Sequence, residues 1–219
     1  MKEVNKLVDK AKRYALEEAI VILKKAPHPK FNESVDISFK LGVDPKASQA
    51  VRGTVALPHG TGKNVRVAVF CKGEAESKAK AAGAEFVGGA DLVEKVSGGW
   101  CDFDVAVATP EMMRDMGRLG KILGPRGLMP NPKAGTVTED VAKAVKEVKA
   151  GKVEFRMDKQ GNVHVPIGKI SFEEKALKEN ATSLIEAVIA AKPQGIKGEF
   201  VKSFSISSTM GPGLKLSMK

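Results

Sequence analysis

The residues best suited to chemistry are mostly uncharged. Ser208-Thr209-Met210-Gly211-Pro212 combines two hydroxyls, a flexible thioether and a glycine with no bulk over its backbone. Such a surface can approach a sugar edge closely and hydrogen-bond it, although a turn ending a strand has the same composition. Near the other end of the chain, Ser34, Asp36, Ser38 and Lys40 recur with period two. A strand there places all four on one short-chained, hydrogen-bonding side, with Val35, Ile37 and Phe39 on the other. A third stretch, Gly117 to Lys133, holds four glycines, three prolines and four basic residues, among them Lys121, Arg126 and Lys133. Backbone N–H groups and cations of this kind can be aimed at phosphate, and a tightly turned surface loop reads the same way.

Other chemistries find little support. The Gly/Pro stretch lacks the Gly-x-x-x-x-Gly-Lys-Ser/Thr spacing of a nucleotide cradle, and Gly60-Thr61-Gly62-Lys63-Asn64 has Leu57 where the first glycine belongs. It reads as a flexible connector. His28 lies between prolines, His59 lies in the connector, and His164 alternates with apolar strand residues; none has a nucleophile and an orienting carboxylate as sequence neighbours. Cys71 and Cys101 stand apart from any ligand partner and read as reduced thiols. These residues predict no metal and no cofactor, while a catalytic triad assembled from residues distant in sequence stays open at this point.

The elements that must position these residues follow from periodicity. Apolar positions at helical spacing predict one or two helices over Val4 to Lys25, broken at Pro27 and Pro29. Strands are predicted at Ser34–Leu41 and Val51–Leu57. Val65–Phe70, a short Glu85–Val87 and Phe103–Ala108 follow as strands of nearly continuous apolar character. They alternate with helices at Glu74–Ala82 and around Leu92–Val96, the pattern of a parallel sheet covered on both faces. A helix over Thr136 to Ala150 stops at Gly151. Val153–Met157 and Asn162–Ile167 read as a hairpin turned through Asp158–Gly161, followed by a helix over Ser171–Ala191 and a strand over Phe200–Ser208. The fold class is α/β in two domains. Residues 1–60 plus 152–219 form a discontinuous α+β domain from both chain ends, and 61–151 form an inserted Rossmann-like open parallel α/β domain. Gly60, Gly62 and Gly151 mark the hinge between them.

The 219 residues carry 36 Lys+Arg against 26 Asp+Glu, a formal charge of +10, with 5% aromatics. So few rings argue against a stacking platform for single strands and leave phosphate and shape recognition as the use of positive charge. Residues 1–60 hold 11 basic and 7 acidic side chains, residues 152–219 hold 11 and 7, and residues 61–151 hold 14 and 12. The discontinuous domain is therefore the electrostatic candidate for an anionic partner. No apolar run approaches the ~20 residues of a membrane span, and the charged N-terminus is unlike a signal peptide; a cytoplasmic protein without membrane association is expected.

Four stretches together resemble one family: Lys30 to Val35, Val51 to Gly60, Gly120 to Pro132 and Thr209 to Pro212. The chain is similar to the bacterial large-subunit ribosomal protein L-one family, the proteins of the mobile stalk beside the tRNA exit site. The resemblance implies a cytoplasmic, ribosomal protein, monomeric when free, whose first domain binds 23S rRNA. It implies that the same surface represses translation of its own operon mRNA, and that the inserted domain lies near exit-site tRNA. Carried over by motif, the rRNA- and mRNA-binding residues are Lys30, Phe31, Ser34, Asp36, Ser38, Lys40, Thr209, Met210, Gly211 and Pro212, with His164 and Lys169 beside them. Lys121, Arg126 and Lys133 are the residues near tRNA. A nucleotide- or phosphate-dependent enzyme built on the inserted domain is the alternative, resting on fold analogy.

Overall fold

The computed structural model describes residues 8–9, 12–27, 29–43, 51–193 and 198–217. In chain order the elements are α1 (Leu16–Lys25), β1 (Ser34–Leu41), β2 (Arg52–Ala56), β3 (Val67–Phe70), α2 (Glu74–Ala81), β4 (Phe86–Gly88), α3 (Ala90–Ser97) and β5 (Val105–Ala108). They continue with α4 (Met113–Met116), α5 (Gly120–Leu123), α6 (Val141–Lys149), β6 (Lys152–Arg156), β7 (Asn162–Lys169), α7 (Glu174–Ala190), β8 (Val201–Ser208) and β9 (Leu214–Lys215). The chain divides into two compact units, Met1–Gly62 with Val153–Lys219, and Lys63–Lys152.

The first unit is built on a four-stranded sheet of order β7-β1-β8-β9. β1 is antiparallel to both neighbours, and its alternation sends Val35, Ile37, Phe39 and Leu41 into the core. Phe39 lies opposite Phe204 in register, and their rings stack at 5.8 Å. Val163, Val165, Ile167 and Ile206 extend this apolar face, covered by Ile20 and Leu23 of α1 and by Leu177, Leu184 and Val188 of α7. Burying such side chains contributes roughly 1.5–3 kcal/mol each, which fixes the orientation of the sheet and leaves its polar face outward.

Two expectations for this unit need correction. β6 pairs with β2 in a separate two-stranded sheet while β7 pairs with β1, so the turn at Asp158–Gly161 joins two sheets and closes no hairpin. Of the one or two helices expected over Val4 to Lys25, the described residues show Leu16–Lys25 alone. Tyr14 instead bridges Leu216, and Val4 to Leu7 lie outside the described residues. Phe31 is 52% exposed and therefore free to meet a partner.

The second unit carries a three-stranded parallel sheet, β4-β3-β5. Every residue of β3 is buried, as expected of a strand covered on both faces. Ala68, Phe70 and Ala106 pack with Leu92 and Val96 of α3 on one face; Val67, Val69 and Val107 pack with α6 on the other. α6 starts later than its periodicity suggests, because Asp140 caps it, accepting from the Lys143 N–H at 3.2 Å. Val137 belongs instead to a parallel bridge with Ala108. The Gly/Pro stretch is also more ordered than a loop. Gly117–Leu119 is a 3-10 turn and Gly120–Leu123 is α5, and their Leu119 and Leu123 are buried in the core.

Candidate nucleic-acid interface

The polar side of β1 is the centre of the candidate surface. In an antiparallel sheet directly opposed residues share a face, so register alone assembles it. Ser38 lies between His164 and Ser205, Lys40 between Asn162 and Ser203, and Asp36 between Pro166 and Ser207. Pro166 is tolerated because β7 is an edge strand. β9 adds Lys215 opposite Ser205, so one row reads His164, Ser38, Ser205, Lys215 across four strands. The hydroxyls of Ser203, Ser205 and Ser207 and the Lys215 ammonium were not among the expected site residues, since they join the face only once strand pairing is known.

Lys169 reaches this face through a bulge. It lies five residues after the outward-facing His164, and simple alternation would turn it toward the core. The register shifts between Val35 and Asp36, with Asp36 opposite Pro166 and Val35 opposite Gly168, leaving Ile167 as the extra residue on β7. Gly168 has φ 153°, and a Cβ there would come within 2.9 Å of the Phe172 ring. The restored parity brings the Lys169 ammonium to 2.8 Å from Ser34 Oγ, to which it donates.

At one end of the face the start of β1 is clasped to the residue that follows β8. Ser34 N–H donates to Thr209 Oγ1 at 3.1 Å, Thr209 N–H donates to the Ser34 carbonyl at 3.1 Å, and the Thr209 hydroxyl donates to that same carbonyl at 3.3 Å. Beneath them Glu33, only 1% exposed, accepts the Met210 N–H at 2.8 Å. Glu33 is a further residue that the motif-by-motif reading missed. The clasp holds two exposed apolar side chains, Phe31 at 52% and Met210 at 57%, on a framework of fixed backbone. Lys30 is exposed beside Phe31, and Pro212 is half-buried after Gly211. A Cβ at Gly211 would fall 2.3 Å from Ser208 Oγ, so any larger residue there would have to displace that hydroxyl.

Most polar groups on the face are already partnered. Ser38 Oγ and His164 Nδ1 are 2.9 Å apart, and the Lys40 ammonium donates to the Gln160 carbonyl at 2.7 Å. Asp36 is half-buried, which pushes its carboxyl above the usual carboxylate range, while Lys169 and His164 draw it back.

The remaining candidates lie elsewhere. Lys121 and Arg126 are exposed in the second unit, and the Lys133 side chain is outside the described residues. Gly60, Gly62 and Gly151 adopt left-handed φ of 64°, 69° and 107°. Gly60 is fastened to the first unit, because the buried Asn180 amide accepts the His59 N–H at 3.0 Å and donates to the Gly60 and Ile167 carbonyls at 3.0 and 2.8 Å. A Cβ on Gly62 would fall 2.8 Å from Phe172. Among the described residues no group of three or more His, Cys, Asp or Glu is placed to hold a metal ion, and no helix is long and apolar enough to cross a membrane.

The architecture defines a two-unit α/β protein whose candidate surface is a clasped, hydroxyl-rich sheet face on the unit built from both chain ends. Residues 23–212 match the profile of the Ribosomal protein L1p/L10e family, and the chain belongs to that family. It is 57% identical over 215 residues to the large ribosomal subunit protein uL1 of Kosmotoga olearia, covering 98% of this chain and 93% of that protein. It is 54% identical over 220 residues to the protein of the same name from Protochlamydia amoebophila, covering 100% of this chain and 93% of that one.

Proposed function

We propose that this chain is a component of the large ribosomal subunit that binds 23S rRNA directly through the polar sheet face of its first unit. The carrying observation is the clasp, in which Ser34, Thr209 and Glu33 hold Phe31 and Met210 at the end of a hydroxyl-lined floor. Short hydroxyls suit sugar 2′-hydroxyls, which distinguish RNA from DNA, and Lys30, Lys40 and Lys169 supply attraction to phosphate. In this reading the protein is a cytoplasmic, non-enzymatic constituent of the ribosome, monomeric when free. It forms the mobile stalk, with the connections at Gly62–Lys63 and Lys152–Val153 as its hinge. The exposed Lys121 and Arg126 of the second unit meet exit-site tRNA.

The same face serves repression. Free protein binds the mRNA of its own operon once rRNA is saturated, provided that rRNA is bound more tightly. Titration of the full chain against an rRNA stalk fragment and the messenger leader, at several salt concentrations, tests both statements. Tighter, salt-dependent binding to the rRNA fragment is expected. Equal or reversed affinities would defeat simple competition, and the absence of RNA binding would defeat the whole reading.

A further inference from the structure

The middle of the polar face poses an electrostatic question. Cations lie toward its margins: Lys169 at one end of β1, Lys40 at the other, Lys215 on the outer strand β9. At its centre, opposite Ser207 and Pro166, stands Asp36. A carboxylate there repels phosphate. On β1 itself the other polar side chains are engaged, Ser34 with Lys169, Ser38 with His164 and Lys40 with the Gln160 carbonyl. Among the described residues no hydrogen bond engages the Asp36 carboxylate itself. It is a half-buried acceptor left open in the floor of the face.

The shape of the floor indicates what approaches it. Adjacent strands lie about 4.8 Å apart, so the row from His164 to Lys215 spans roughly 14 Å. Between His164 and Lys215 it presents only the small hydroxyls of Ser38 and Ser205. This complements the wide, shallow minor groove of an A-form helix, with 2′-hydroxyls and base edges in its floor and phosphates along its rims. A single strand would call instead for several stacking aromatics. Within a minor groove, the base edges present only acceptors except at guanine, whose 2-amino group is a donor.

We propose that Asp36 accepts a hydrogen bond from the 2-amino group of a paired guanine in the minor groove of the bound RNA. It is then the residue that selects base identity on a face that otherwise meets sugar and phosphate. The inference rests on the reading of the first unit as an RNA-binding unit. It differs from a general electrostatic role in sign, because removing a carboxylate that only repels phosphate would tighten binding.

The test replaces paired guanines of the 23S rRNA stalk fragment one at a time with inosine, which pairs but lacks the 2-amino group. The full-length chain is expected to lose about 10-fold in affinity at one such position, the size of a hydrogen bond to a charged group. Asp36→Ala should bind the unmodified fragment about 10-fold more weakly and lose nothing further at that position. Asp36→Asn keeps one acceptor oxygen and the side-chain size, and should retain the inosine penalty. Unchanged or tighter binding by Asp36→Ala would overturn the proposal. So would an inosine penalty that persists in full in Asp36→Ala at every position, or loss of the penalty in Asp36→Asn. If the wild-type chain binds no RNA at all, the underlying reading has failed instead.

Discussion

The two units present positive charge in different ways. In the second, Arg114, Arg118, Lys121 and Arg126 are exposed along successive short turns, and among the described residues none has a hydrogen-bond or ion-pair partner. In the first, Lys169 and Lys40 are each fastened, to Ser34 and to the Gln160 carbonyl, and Ser34 is clasped to Thr209. Loose cations attract phosphate regardless of sequence or shape and pay the ordering entropy on binding. Fastened groups have lost that freedom on folding, and their fixed spacing can discriminate. With the observed boundaries the first unit carries +7 and the second +3, which is less of a contrast than the organisation of the charges.

Glu33→Ala should break this contrast most severely. It removes a buried acceptor and leaves the Met210 N–H without its partner, a loss of about 1–3 kcal/mol in stability. Because the same bond positions Met210, affinity for the rRNA fragment is expected to fall about 100-fold, measured by filter binding on the folded fraction. A fall below about 3-fold would mean that the corner need not be preorganised.

A paired comparison then sharpens it. Thr209→Val removes both hydroxyl bonds to Ser34 and should weaken rRNA binding about 10-fold, at a stability cost of about 1 kcal/mol. Arg118→Gln, Lys121→Gln and Arg126→Gln together should alter rRNA affinity less than about 3-fold. They should, however, flatten the salt dependence of tRNA binding, by up to about 2 in logarithmic slope. The reverse pattern would move the rRNA site to the second unit.

How much of this was legible in the sequence differs by level. The alternation of β1 is a local property of Ser34 to Leu41, and the buried strands of the second unit are equally local. The hairpin reading failed because pairing is not local: β6 and β7 are adjacent in sequence, yet β7 is drawn to β1 and β6 to β2 by their apolar faces. Lys169 was reached by motif, while its orientation depends on the one-residue bulge at Ile167 and Gly168, invisible to period counting. Ser203, Ser205, Ser207 and Lys215 carry no motif and become part of the face only through register. Glu33 sits inside a recognisable stretch, but its burial depends on a partner 177 residues away.

Ion pairing in the second unit has a structural use near its first strand. Asp104 lies 2.6 Å from the Lys63 ammonium and also accepts from the Arg66 N–H and Nε at 3.1 and 3.3 Å. The Lys63 bond foremost, then those from Arg66, hold its carboxyl down to about 2 against the opposing effect of burial. A depressed carboxyl stabilises the fold above its ordinary value of 3.8, and that stability is lost as pH falls toward 2. Asp104→Asn should therefore cost about 1 kcal/mol at pH 7 after solvent screening, with the difference closing near pH 2. Trp100, the sole tryptophan, packs against Phe86 at 4.7 Å between ring centroids and reports on this unit by fluorescence.

The smallest expected effect has the opposite sign and separates binding from stability in the first unit. Half-burial raises the Asp36 carboxyl above its ordinary value of 3.8, so the folded chain holds that proton to higher pH than the unfolded chain does. Stability is then fullest below 3.8 and declines as pH rises through the raised value, the reverse of Asp104. At pH 7 Asp36→Asn should raise the melting temperature of the first unit, by less than about 2 °C, and the gain should vanish in acid. The measurement is the calorimetric transition that is not accompanied by a Trp100 signal. A carboxylate that lowers the stability of the free protein at the centre of its polar face is consistent with service to a bound partner. If Asp36→Asn were destabilising at pH 7, Asp36 would be a structural group held by Lys169 and His164, and the first unit would resemble the second in using its central carboxylate to hold the fold together.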